Sequence, residues 1–256
     1  MAKDNYRYRT QMIVQILLVV YFGLTLASTL LLRLAGMNWF DALAHAMSAC
    51  ATSGFGTKNT SIAYFDSAAI DTILMFTMAV AGIHFGLIYA TVTGKYNNIF
   101  RSEVTRFYLG MMLVCSLVVG LSLYFADIYP GLLTALRYAS FQVVSVVTTT
   151  GFATADSNVW TPLAIIVLIF GSLVCASAGS TSGGIKSNRM LLAFKMMRTR
   201  LRQQQHPNAV LRIKMDGVIQ ENEVLHLVSL FIVTYLAFLL AGTVFSLSLI
   251  HISEPT

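Results

Sequence analysis

The sequence predicts an all-α integral membrane fold built from repeated helix–re-entrant loop–helix units, and three observations carry that expectation. Of 256 residues, 56% are apolar and only 11% charged, and several apolar runs are long enough to cross about 30 Å of hydrocarbon. These runs lack the two-residue alternation of a membrane barrel, so their backbone groups must be satisfied inside helices. A motif also occurs twice. Cys50 to Thr57 reads CATSGFGT and Ser145 to Asp156 reads SVVTTTGFATAD, and one constant offset carries Gly54 to Gly151 and Thr57 to Thr154.

Lys3, Arg7 and Arg9 precede a first span, Met12 to about Leu34, and a positive flank of this kind stays in the cytoplasm. Gly36 stops the helix outside. Trp39, Phe40 and Asp41 then read as an interfacial anchor leading into a short helix to Ala51, too short to span. A short helix ending in a glycine loop between two spans reads as re-entrant, and non-helical backbone at that depth must be surrounded by protein or line a water-filled cavity. Ser67 to Thr93 returns inward to the Gly94–Lys95 turn and the basic pair Arg101 and Arg106.

The cycle repeats. Phe107 to about Phe125 is a span, Tyr129-Pro130-Gly131 an outer turn, Leu132 to Val147 a second short helix, Thr148 to Asp156 the second loop, and Trp160 to about Met190 the return. The offset also pairs Ala79–Gly86 with Ala176–Gly183, so the duplication covers helix, loop and helix. A basic segment, Lys195 to Lys214, follows, and then a fifth span, His226 to about Val244. Of the 17 Lys and Arg, all but Arg33, Lys58 and Arg137 fall on the predicted inner side, as two crossings per unit require. The expected divisions are residues 1–106 and 107–222 for the two units, 223–246 for the first helix of a truncated further unit, and 247–256 for a tail.

The net charge of +6 belongs to these inter-span segments and signals topology, not nucleic-acid binding. Cys50, Cys115 and Cys175 lie in separate apolar runs without metal-ligand spacing, which predicts neither disulfides nor a zinc site. His45, His84 and His226 likewise share no ligand spacing. No cleavable leader is expected, because the apolar stretch behind Met1–Gln11 is too long for a signal h-region. Asp41 and Asp127 fall near the outer boundary as helix caps, exposed residues or cation attractors.

Selecting a dehydrated alkali cation requires oxygens that replace its water shell, and the carbonyls of a glycine-centred loop provide them without fixed charge. Thr52-Ser53-Gly54 and Thr149-Thr150-Gly151 have that composition. The plain alternative is a helix C-cap with a turn. Ser177 to Gly184, made only of Gly, Ser, Ala and Thr midway along a span, is expected to unwind, whereas its sister stretch Ala79–Gly86 reads as close helix packing through small residues. A serine hydrolase is not supported, since no Gly-x-Ser-x-Gly elbow and no His and Asp partners accompany the serines.

Together the single-glycine loops and the stretch from Ala178 to Lys186 resemble the membrane subunit of the Trk/Ktr potassium uptake family, over nearly the whole chain. That resemblance implies a potassium-channel-like pore of four such units, of which this chain resembles the second and third plus the first helix of the fourth. It implies Thr52, Ser53, Gly54, Thr149, Thr150 and Gly151 as the potassium-binding filter. Gly179, Ser180, Thr181, Ser182, Gly183 and Gly184 become an intramembrane gating loop. It further implies a non-enzyme in the bacterial cytoplasmic membrane, with potassium as substrate, no bound cofactor, a cytosolic nucleotide-binding ring as partner and a homodimer of the full-length protein. A sodium-selective relative, a coupled transporter of a small solute and a non-conducting assembly subunit are the alternatives. Leu247 to Thr256 departs from the family pattern and is expected to be non-native.

Overall fold

The computed structural model describes residues 2–94, 99–205 and 212–253, with side chains described from residue 11 to 248. Lys95, part of the basic segment and the end of the tail therefore lie outside the described residues, as do the side chains of Lys3, Arg7 and Arg9. The chain forms two compact units, Met1–Ser187 and Asn188–Thr256.

In the first unit, α1 (Ala2–Leu34) is followed by α2 (Trp39–Ala51), α3 (Ala68–Ala81) and α4 (Phe85–Val92). Then come α5 (Glu103–Phe125), α6 (Leu132–Val147) and α7 (Pro162–Val174). The second unit comprises α8 (Ser187–Gln205, whose first residue belongs to the first unit), a hairpin of β1 (Lys214–Met215) and β2 (Val218–Ile219), and α9 (Asn222–Ser253). Gln11–Leu34, Glu103–Phe125 and Asn222–Ser248 are each long and apolar enough to cross a membrane, and the bent pair α3–α4 adds a fourth candidate. Helix α9 thus continues into the stretch expected to depart from the family pattern.

Each repeat packs in the same way. The re-entrant helix leans on the helix before it, α2 on α1 and α6 on α5, and then on the helix after it, α3 or α7. Small residues permit this approach: Ala42, Ala46 and Ala49 on α2, and Ala135 and Ala139 on α6, are fully buried. A side chain at Gly120 of α5 would stand 2.5 Å from Leu136 of α6. Helix α2 starts cleanly because Asn38 caps it, its side-chain carbonyl accepting from the Asp41 N–H at 2.7 Å. Helix α7 starts with Thr161 accepting from Ala164 N–H and Pro162 in its first turn.

Both returning spans are broken, and this differs from the expectation in one respect. The residues from Cys175 to Lys186 are not helical, as their composition predicts. The sister stretch also breaks: α3 and α4 meet at 101° across Gly82–His84, where close helix packing was expected. Tyr108 packs into the break. Its hydroxyl bonds the Ala79 carbonyl at 3.1 Å and sits where a Gly82 side chain would be, only 2.2 Å from the ideal Cβ position. Helix α7 alone, at about 1.5 Å per residue, is too short to cross the hydrocarbon.

One ion pair ties the repeats together. Arg137 of α6 donates to the Asp71 carboxylate of α3 through Nε at 2.8 Å and through Nη2 at 2.7 Å, with Asp71 only 2% exposed. Replacing Arg137 by Met is expected to strand that buried carboxylate and to cost about 3–5 kcal/mol, whereas Asp71→Asn combined with Arg137→Met costs less. Thermal melts of the detergent-purified protein check that order.

Candidate filter loops and the loop beneath them

The two motif loops share the same pair of backbone cap bonds. At the end of α2 the Thr52 N–H donates to Ala49 O and the Ser53 N–H to Ser48 O; at the end of α6 the Thr149 N–H donates to Val146 O and the Thr150 N–H to Ser145 O. This is the bonding of a Schellman cap, so the helix-cap reading describes the first half of each motif. The residue that should be glycine in such a cap is threonine in both copies. Thr52 has φ 51° and Thr149 has φ 57°, a strained conformation for a β-branched residue. The glycines come two residues later, again with positive φ, 74° at Gly54 and 88° at Gly151.

Hydroxyls hold these turns. Ser48 and Ser53 are bonded at 3.0 Å, Thr148 and Thr150 at 2.8 Å, and Ser145 donates to the Phe152 carbonyl at 2.7 Å. The loops also touch. A Cβ on Gly54 would lie 2.1 Å from the Thr150 carbonyl oxygen, so the two backbones meet with no room for a side chain between them. Among the described residues, leaving aside its two chain neighbours, none comes within 4 Å of the corresponding point on Gly151. Behind the contact, Ala63 N–H donates to Ala153 O at 3.2 Å, and the buried Phe152 ring packs on His45 of α2 with centroids 5.8 Å apart.

Above the first loop, Asp41 acts as a staple. Its carboxylate accepts from the Thr57 hydroxyl at 2.5 Å and from Asn38 Nδ2 at 2.9 Å, with Lys58 Nζ at 3.6 Å. The Thr57 hydrogen bond, followed by the Lys58 charge and the Asn38 amide, outweighs the opposing effect of burial and holds the carboxyl below the ordinary range. Thr154, the repeat partner of Thr57, is buried without such a staple. Asp127 sits in a turn with φ 52°.

The stretch from Cys175 to Lys186 has positive φ at Cys175, Gly179, Gly184 and Lys186. It is held from two directions. Ser177 N–H donates to Gly82 O at 3.0 Å, and Phe85 N–H donates back to Gly179 O at 3.2 Å, so the two broken spans supply each other's missing partners. On the other side, Gly183 N–H donates to the Thr149 hydroxyl at 2.8 Å and thereby joins this loop to a predicted filter residue. Ser180 bonds Ser177 O at 2.6 Å and Ser182 at 3.0 Å, Thr181 reaches Ala81 O at 3.5 Å, and Lys186 Nζ donates to the Ser182 carbonyl. Gly184 leaves no space for a side chain, its ideal Cβ falling 2.1 Å from Cys175 Sγ.

All six predicted filter residues therefore stand in the paired loops, and all six predicted gating residues in one non-helical segment bonded to one of them. Sequence reasoning read His84 as a hydrogen-bonded interhelical residue but did not assign it a place beside the loop. Its ring caps α4 by accepting from Gly86 N–H at 3.0 Å and lies against Gly179, where a Cβ would come within 2.6 Å. The offset that pairs Gly82 with Gly179 was the available signal.

The family described as TrkH, cation transport protein, matches residues 2–119 and 103–252. The Trk system potassium uptake protein TrkH of Salmonella typhimurium is 36% identical over 250 residues, covering 94% of this chain and 52% of that protein. The Trk system potassium uptake protein TrkG of Escherichia coli is 30% identical over 221 residues, covering 86% and 45%. Among solved structures, the crystal structure of the potassium transporter TrkH from Vibrio parahaemolyticus superposes with a TM-score of 0.84 at 32% identity, over 94% of this chain and 51% of that one. The chain spans about half the length of the curated relatives it matches.

A carboxyl with a lowered native value stabilises the fold fully above its unfolded value, about 3.9, and loses that contribution as pH falls through the native value. The melting temperature of the protein minus that of its Asp41→Asn variant is accordingly expected to be constant above about pH 5 and to shrink below about pH 4. A difference that grows on acidification would contradict the staple.

Proposed function

Because this chain belongs to the TrkH family of cation transport proteins, we propose that it contributes half of a carbonyl-lined pathway for potassium uptake across a bacterial cytoplasmic membrane. One observation carries the reading: two strained, glycine-centred loops with the same backbone cap bonds meet backbone to backbone. In extended chain successive carbonyls alternate sides, whereas a positive φ at every second residue turns them toward a common side, where they replace a cation's water shell. Helices α2 and α6 end at the loops with no basic residue in the last turn, so their C-terminal partial charges favour a cation. The filter on this reading is Thr52, Ser53, Gly54, Thr149, Thr150 and Gly151, and no covalent chemistry is involved.

The segment Gly179 to Gly184 is the gate on the same reading. Its bond from Gly183 to Thr149 supports a position directly at the second filter loop, and its many hydroxyls suit a wet cavity. The family resemblance extends the proposal to a homodimer of the full-length protein and a cytosolic nucleotide-binding ring. For the ring, Arg198 and Arg202, exposed on one stripe of α8, supply a docking charge.

Two measurements on the full-length protein in potassium-uptake-deficient cells test this. Gly54→Ala and Gly151→Ala each force a side chain into a positive-φ position at about 1–2 kcal/mol, and Gly54→Ala adds the clash with Thr150. Both are expected to lower potassium uptake about tenfold or more at equal membrane abundance, while Gly110→Ala, which has open space in α5, leaves it unchanged. Equal uptake by all three would refute the filter.

Deleting Ser180 to Gly183 is expected to raise tracer potassium uptake per folded protein, since an obstruction and its tie to Thr149 are removed. A fall in flux at normal expression would refute the gate.

A further inference from the structure

The second compact unit holds a cleft of about 920 Å³ between α8 and the start of α9. Two helix faces form its walls. On α8, Ala193, Met196, Met197, Arg200 and Gln203 recur at helical spacing; on α9, Asn222, Leu225, His226, Ser229, Ile232 and Val233 do the same. The helices run antiparallel, with Arg189 stacked 4.0 Å over the Phe231 ring and the Ser229 hydroxyl 3.9 Å from the Met196 sulfur.

The lining is amphipathic. Arg200 and Gln203 stand in the last turns of α8, Arg212 and Gln220 on the hairpin segment that leads into α9, and Asn222 at the start of α9. Ile232 and Val233 lie about 15 Å further along α9, inside a stretch apolar enough to cross a membrane. Among the described residues no Asp or Glu lines the cleft. The positive-inside rule puts this arginine-rich end of α9 at the inner headgroup level. A polar, basic end at headgroup height continuing into an apolar wall matches one kind of ligand in both charge and length.

We propose that this cleft binds an anionic phospholipid of the inner leaflet, with its phosphate between Arg200 and Arg212 and an acyl chain along Met197, Ile232 and Val233. A basic pocket at the cytoplasmic end of membrane helices is a recurrent lipid-headgroup site. A soluble acidic partner would match the arginines but would leave the apolar wall unused. Arg198 and Arg202 line no part of the cleft, which separates this site from the docking stripe assigned to the ring. The proposal depends on the membrane placement of α9 and not on the filter or gate.

The test is native mass spectrometry of the detergent-purified full-length protein, titrated separately with phosphatidylglycerol, phosphatidylcholine and inorganic phosphate. Phosphatidylglycerol is expected to bind in preference to phosphatidylcholine. Each of Arg200→Gln and Arg212→Gln is expected to weaken it about fivefold, at about 1 kcal/mol per basic residue. Ile232→Trp, which fills the apolar end while leaving both arginines in place, is expected to weaken it as well. Arg198→Gln with Arg202→Gln is the control and should have no effect. Equal weakening by the control pair would show diffuse attraction without a site, and inorganic phosphate competing as well as the lipid would show an anion site without a chain. Unchanged phosphatidylglycerol binding in the cleft variants, with or without loss of ring capture, would overturn the lipid assignment.

Discussion

A backbone that leaves helical geometry within a membrane must find partners for its peptide groups, and this protein finds them by setting one break against another. Gly82 O receives the Ser177 N–H while Gly179 O receives the Phe85 N–H. The two positions are related by the repeat offset, so duplication created both the problem and its solution. The small residues around both breaks allow that close approach, with the Gly82 Cβ position only 3.0 Å from the Ala176 methyl and the His84 ring filling the space beside Gly179. The segment beneath the second loop is therefore anchored to the first repeat as firmly as to its own.

Strain is concentrated where this framework can hold it. Thr52 and Thr149 are threonines in a glycine conformation, and each is fixed by two backbone bonds to the end of a buried helix. The helices are fixed in turn by the Asp71–Arg137 pair across the repeats and by alanine faces that let them approach closely.

Much of this was legible in the residues. The limits of α2 and α6 follow from the stop at Gly36, the turn at Tyr129-Pro130-Gly131 and the motif threonines, and the unwinding at Ser177–Gly184 follows from a run of residues with poor helix propensity. The break at Gly82 was not legible, because glycine and alanine serve close packing and chain breaking equally well. What marks the break is a partner distant in sequence, Tyr108, whose hydroxyl bonds the Ala79 carbonyl and stands where a side chain at Gly82 would be. Asp71 gave a weak signal as a lone acid at the start of an apolar span, but its partner lies in another repeat and no local spacing points to it. The positive φ at Thr52 and Thr149 also escaped, since nothing in the letters distinguishes a threonine at φ 51° from one in a helix.

The meeting of Gly54 with the Thr150 carbonyl is also a statement about symmetry. Two copies related by a dyad would exchange the contact, Gly54 meeting the second loop as Gly151 meets the first. Among the described residues it runs one way only: Gly54 is closed against the Thr150 carbonyl, whereas the same surface of Gly151, its chain neighbours aside, has no atom within 4 Å. Like surfaces joined head to tail propagate around an axis until rotation closes them, whereas inverted repeats face one another across a twofold. The one-way contact between Gly54 and the Thr150 carbonyl is thus of the head-to-tail kind, which a dyad between the two repeats would not produce.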